Sequence, residues 1–193
     1  EKIRSFYMNR GYLDFDIENT TVSISETKKN VYIAIIIDEG DKYNFGDIMI
    51  SGKFYPLKEE SIFQNNIKTS KGEVFSRKLL NQSTESINQE LGNYGYAFSN
   101  VNPIPDVDKN NLTVGFNYFI DPWKKVYVRR ISFIGNEGTQ DKVLRREMRQ
   151  FESSYYDKEK IDQSTRRLKR TQYFEGVDIK TVSVPGISDQ VDL

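Results

Sequence analysis

The sequence predicts an α+β protein assembled as a tandem array of small β-α-α-β-β units. Three observations carry that reading. Tyr43, Phe45, Ile48, Ile50 and Gly52 recur as Val126, Val128, Ile131, Phe133 and Gly135, every pair 83 positions apart. Arg10-Gly11-Tyr12 recurs as Tyr94-Gly95-Tyr96 at an offset of 84, with Ile3 and Tyr7 matching Ile87 and Leu91 ahead of it. Between these anchors, apolar residues alternate in some stretches and return every three or four residues in others, the periods of strand and helix. A fixed period of this length marks a repeat architecture.

The middle unit is the complete one. Tyr43 to Phe45 is the expected linker, and Asp47 to Ser51 the first strand, closed by Gly52. Helix one is expected over Pro56 to Asn65, since proline suits a first helical turn whose N–H has no partner anyway. A Lys71-Gly72 turn leads to helix two over Ser76 to Asn93. There Leu80, Ser83, Ile87, Leu91 and Tyr94 advance by three or four and share one face. Gly95 ends that helix, because glycine takes φ > 0 without a Cβ clash. Strand two is expected at Phe98 to Ile104. The polar run Asp108-Lys109-Asn110-Asn111 makes a turn. Leu112 to Ile120 is strand three, with Leu112, Val114, Phe116 and Tyr118 alternating.

The last unit repeats the order with a shorter second helix. Strand one is expected at Arg130 to Ile134 and helix one at Asp141 to Phe151. That helix has Thr139 as N-cap and Asp141 in the first turn, where the helix dipole favours an acid. Helix two covers Lys158 to Thr171, with Ile161, Thr165 and Leu168 inward. Strand two runs Val177 to Val184, a turn sits at Pro185-Gly186, and strand three begins at Gln190 to Leu193. The first unit has only a second half: a helix to Arg10, a strand from Phe15 to Ile24, a turn at Lys28-Lys29-Asn30 and a strand from Val31 to Ile37. The domains are therefore expected at 1–41, 42–122 and 123–193, joined at Glu39–Lys42 and Pro122–Lys125. Both ends look cut from a longer chain. Units of about 80 residues bury modest cores, so contacts between neighbours matter.

Composition narrows the function. Among 193 residues there is no Cys and no His, which excludes disulfides, thiolate chemistry, His- or Cys-based zinc sites and imidazole bases. Acids and bases number 28 each, so no net charge draws the chain to nucleic acid. Basic clusters at Lys124-Lys125, Arg129-Arg130 and Arg166-Arg167-Lys169-Arg170 are interleaved with acids and lack an aromatic stacking motif. Carboxylate pairs at Glu59-Glu60 and Asp106-Asp108 have no accompanying phosphate loop. No apolar run reaches the length of a membrane-spanning helix. No enzyme activity, cofactor or metal is expected.

Several strings carry a resemblance: Arg10-Gly11-Tyr12, Asp38-Glu39-Gly40-Asp41-Lys42-Tyr43, Tyr94-Gly95-Tyr96-Ala97, Val126-Tyr127-Val128-Arg129-Arg130-Ile131, Val143-Leu144-Arg145-Arg146-Glu147-Met148-Arg149-Gln150 and Asp189-Gln190-Val191-Asp192. In order and spacing the chain resembles the POTRA (polypeptide-transport-associated) domains of the BamA family, over essentially its whole length. The resemblance implies the end of a third such domain, a whole fourth and most of a fifth. Each would be a three-stranded mixed sheet covered by two helices on one face. One departure is Gln172, where the family more often has glycine.

The resemblance also implies a scaffold. The segment would lie in the periplasm, anchored to the outer membrane through a C-terminal barrel absent here. Unfolded outer-membrane clients would add as a strand to free sheet edges, which accept main-chain hydrogen bonds without demanding a sequence. The candidate edges are the second strands, with Phe15, Ile17, Val22 and Ile24 on the first and Val177, Ile179 and Val182 on the third. Pro103 and Pro105 interrupt the edge between them. A BamD-like lipoprotein, with other lipoproteins of the assembly complex, would dock on the last unit through Glu147, Arg145, Arg146 and Arg149. Arg145 and Arg149, four apart, are expected to share an exposed helix face. The bland alternatives are a solvated edge and a solvated helix face. A related secretion or cell-division protein with other partners is the rival reading.

Overall fold

The computed structural model describes residues 1–25, 27–53 and 61–193. The predicted helix start at Pro56 and the Glu59-Glu60 pair lie outside them. In chain order the elements are α1 (Lys2–Met8), β1 (Asp16–Ile24), β2 (Val31–Asp38), β3 (Asn44–Gly52), α2 (Ser61–Gln64), α3 (Arg77–Asn93), β4 (Asn100–Asp108), β5 (Thr113–Asp121), β6 (Tyr127–Arg130), α4 (Asp141–Glu147), α5 (Lys158–Arg170), β7 (Val182–Val184) and β8 (Ile187–Asp192). The half repeat and two β-α-α-β-β repeats are all present.

β1 and β2 form a two-stranded sheet, and the other strands form two three-stranded sheets in the orders β3-β5-β4 and β6-β8-β7. The strand that comes last in each repeat lies in the centre. β6 runs parallel to β8, with Val128 beside Val191, and β7 runs antiparallel to it. The sheets are mixed.

By contacts the chain divides into two compact units. The first comprises Glu1–Ser51, Lys68–Thr84 and Pro103–Tyr118. Its core contains Tyr43, Phe45, Phe75, Val114, Phe116 and Tyr118, all buried. The Phe45 ring lies 5.4 Å from Phe75 and 6.1 Å from Phe116, the spacing at which aromatic pairs attract. Gly46 and Gly115 let β3 and β5 approach closely, since a Cβ on Gly46 would stand 3.0 Å from the Gly115 nitrogen.

The second unit comprises Gly52–Ile67, Glu85–Asn102 and Phe119–Leu193. Val126, Val128, Ile131, Leu144, Met148, Tyr156, Ile161, Leu168 and Val191 form its principal apolar cluster, with Ala97, Phe98, Phe133 and Phe174 against it. Both long helices bury a serine on their apolar face. Ser83 accepts the Lys68 N–H at 2.9 Å and Ser164 accepts the Arg149 N–H at 2.8 Å. Each hydroxyl donates in turn to the carbonyl four residues back, which satisfies a buried polar group in an apolar setting.

Several expected boundaries move, each for a physical reason. β6 is Tyr127–Arg130 rather than Arg130 to Ile134, because its pairing with β8 runs from Tyr127 beside Gln190, through the buried Val128, to Arg130 beside Asp192. β7 is only Val182–Val184, and the apolar residues Val177 and Ile179 pack against the core instead of pairing. α4 ends at Glu147, not Phe151, because Met148 turns to an extended ψ of 140°. The N-cap of α4 is Gln140, without a side-chain bond; Asn136 spans the start by donating to the Thr139 carbonyl and the Asp141 carboxylate. In α5 the buried residue between Ile161 and Leu168 is Ser164, while Thr165 is half-buried. Gln172 adopts φ +58°, matching Gly11 at +105° and Gly95 at +98°. The helix terminates there despite the Cβ.

Candidate functional site

The second strand of each repeat lies at a sheet edge, and the three differ in what they can accept. β4 is nine residues long but holds Pro103 and Pro105, which cannot donate a ladder hydrogen bond. β7 has three residues. β1 has nine and no proline. It pairs with β2 in antiparallel register, Val22 beside Ile33 and Ile24 beside Val31, with a bulge between Ile17 and Asn19. Ser25 donates its N–H to the Asn30 carbonyl at the turn. Alternation from that bond turns the N–H groups of Thr20, Val22 and Ile24 to the open side.

The side chains expected along these edges divide. Val22 is 60% exposed and Ile24 65%. Phe15 is not an edge residue: it precedes β1, is buried, and stacks on Tyr7 at 4.4 Å between ring centroids. Ile17 is half-buried. On the third edge only Val182 lies in a strand, and it is 57% exposed. β2 adds Tyr32, Ile33, Ile35 and Ile36, all exposed.

The charged segment of the last repeat is organised differently from the expectation. Glu147 accepts a hydrogen bond from the Arg167 guanidinium at 2.7 Å, with 17% of its side chain exposed and 30% of that of Arg167. Arg146 stands 3.6 Å from the other carboxylate oxygen and is 77% exposed. Arg145 reaches the Ile131 carbonyl and Glu152 instead. Arg149 lies beyond the helix end, so it shares no helix face with Arg145. The Glu152 carboxyl is held below its ordinary value, first by the Ile131 N–H and then by Arg145. Glu147, Arg146 and Arg167 are thus brought together, Arg145 and Arg149 are not, and Arg146 is the member most open to a partner. No local pattern marks Arg167 as the partner of Glu147, because its helical phase relative to α4 depends on the loop between them.

An apolar groove of about 640 Å³ opens beside Phe133, Leu144, Met148, Leu168, Phe174 and Val177. Among the described residues no cluster of acids could hold a metal ion, and no helix is long and apolar enough to cross a membrane.

The sequence model of the POTRA family, described as a surface antigen variable number repeat, matches residues 1–40, 43–122 and 126–193. The chain belongs to the POTRA family. Its POTRA repeats are 33% identical over 193 residues to the outer membrane protein assembly factor BamA of Neisseria meningitidis serogroup B, covering 100% of this chain and 24% of that protein. BamA of Buchnera aphidicola is 32% identical, also across 100% of this chain, which spans 31% of it. The crystal structure of Haemophilus influenzae BamA POTRA3-5 superposes with a TM-score of 0.90 at 30% identity, covering 98% of this chain and 74% of that one. POTRA domains are a non-enzymatic scaffold family.

Proposed function

We propose that this chain is a periplasmic scaffold segment of the machinery that assembles outer-membrane β-barrels. It would comprise the end of one POTRA domain (1–41), a whole one (42–122) and most of another (123–193). The likeness to BamA along the full chain supports that setting. Unfolded outer-membrane clients bind by strand addition, and a BamD-like lipoprotein docks beside α4 on the last repeat. Anchorage to the outer membrane comes from parts of the protein outside this chain.

One observation carries strand addition: β1 is nine residues long, free of proline, and open along one side. Main-chain pairing there tolerates many client sequences. Binding of a fluorescent peptide of alternating apolar and polar residues, a stand-in for a barrel strand, tests it. Val22→Pro removes an outward N–H and leaves the inner ladder intact. It should weaken binding about tenfold with an unchanged circular dichroism spectrum. Equal binding by the variant would eliminate pairing at this edge. Docking is tested separately with Arg146→Glu, which should weaken capture of the purified lipoprotein; undiminished capture removes Arg146 from the contact.

A further inference from the structure

Two joints between repeats, one inside each compact unit, are closed by the same three hydrogen bonds. At the first, Tyr43 donates its N–H to the Gly11 carbonyl at 2.8 Å and accepts the Phe75 N–H at 3.0 Å. At the second, Val126 donates to the Gly95 carbonyl at 3.0 Å and accepts the Tyr156 N–H at 2.9 Å. The third bond comes from a side chain. Asn9 Oδ1 accepts the Lys78 N–H at 2.8 Å, and Asn93 Oδ1 accepts the Glu159 N–H at 3.0 Å.

Those two N–H groups lie in the first turns of α3 and α5, where the helix has no carbonyl to offer them. In α5, Asp157 caps from within, accepting the Lys160 N–H, and Asn93 supplies a second acceptor from the preceding repeat. One asparagine therefore ties the end of a repeat's second helix to the start of the next repeat's. Asn9 and Asn93 are 84 positions apart, the same offset as Gly11 and Gly95. At the matching places in the last repeat stand Arg170 and Gln172, and an arginine side chain has no acceptor.

We propose that Asn9 and Asn93 are the keys of a latch that holds successive repeats at one fixed angle. The buried linker residues Tyr43 and Val126 bond on both sides, so each joint is a short continuous ladder rather than a flexible tether. The asparagine fixes the remaining rotation.

The chain has no cysteine, so paired spin labels can be placed without background. Labels at Glu85→Cys on α3 and Arg166→Cys on α5 report the second joint by electron–electron distance measurement. The native chain and Asn93→Asp, which keeps the acceptor, should give equally narrow distributions. Asn93→Ala should broaden the distribution about twofold, with the helical circular dichroism signal retained. A distribution in Asn93→Ala as narrow as the native one overturns the proposal, and so does one in Asn93→Asp as broad as in Asn93→Ala. Should Asn93→Ala lose its helical signal, Asn9→Ala with labels at Lys2→Cys and Asn81→Cys puts the same question to the first joint.

Discussion

Removing the Glu147 carboxylate tests both the fold of the last repeat and the docking reading. Glu147 and Arg167 bond at 2.7 Å with most of both side chains covered. The Arg167 Nε is also buried without a hydrogen-bond partner among the described residues. Glu147→Ala would leave that guanidinium without its anion in a partly closed site. Breaking a fully buried pair costs about 3–5 kcal/mol, whereas an exposed pair contributes about 0–1. At these exposures the expected loss is about 2 kcal/mol. For a chain of this size that lowers the melting temperature by roughly 4–8 °C. Urea and thermal melts of a double-mutant cycle with Arg167→Met isolate the pair. A coupling energy of about 1 kcal/mol or more is expected; a value under about 0.3 would refute the reasoning and make the pair a screened surface contact. Arg146→Ala, at a position 77% exposed, should change stability by under about 0.5 kcal/mol. Glu147→Lys sets a second cation against Arg167, so lost docking in that variant bears on the partner only if the repeat remains folded.

The Asp16, Asp108 and Asp192 carboxyls are held below their ordinary range, by the Arg4, Asn111 and Arg129 side chains respectively. Their contribution is present above the unfolded value and lost as pH falls through the lower folded values. Melting temperature should therefore drop below about pH 4, and replacing all three with asparagine should flatten that dependence. Gln172→Gly relieves a left-handed residue at φ +58° and should stabilise the last repeat by about 1 kcal/mol in chemical denaturation; a loss of stability would mean that the Gln172 side chain matters more than its backbone. Gly52→Ala brings a Cβ to 2.0 Å from the Ile120 carbonyl oxygen, whereas Gly135→Ala meets nothing within 4 Å among the described residues. The first should cost at least about 3 kcal/mol and the second about 1, from backbone strain alone, both read from melts.

The repeat made most of this architecture legible. Periodicity found α3 and α5 to within a residue or two, because each buries a stripe against a sheet. It failed where apolar residues serve the core without joining a strand. Val177 and Ile179 alternate as strand residues do, yet only Val182–Val184 pairs. α4 reads as long because Leu144, Met148 and Phe151 keep helical spacing. Yet Gln150 is buried and accepts the Asp157 N–H at 3.0 Å while donating to the Tyr155 carbonyl at 2.9 Å, which requires a turned chain. Of the candidate edges, the first was legible as a strand from Phe15 to Ile24, yet the strand is Asp16–Ile24 and Phe15 is buried in the core. The Glu147–Arg167 pair was not legible, since the two are twenty positions apart in sequence and no local pattern joins them. The Asn9–Asn93 correspondence lay in the same 84-residue offset as the Gly-Tyr anchor, in residues that look like ordinary helix ends.

The placement of each repeat's last strand in the centre of its sheet has a kinetic corollary. Val128 and Ser183 both pair with Val191, so two outer strands have no sheet to join until the final one arrives. A repeat emerging from its N-terminal end would hold its helices and outer strands loosely until the central strand inserts. Such ordering makes closure depend on contacts distant in sequence, which slows folding. Closure then proceeds one repeat at a time, in the direction of synthesis.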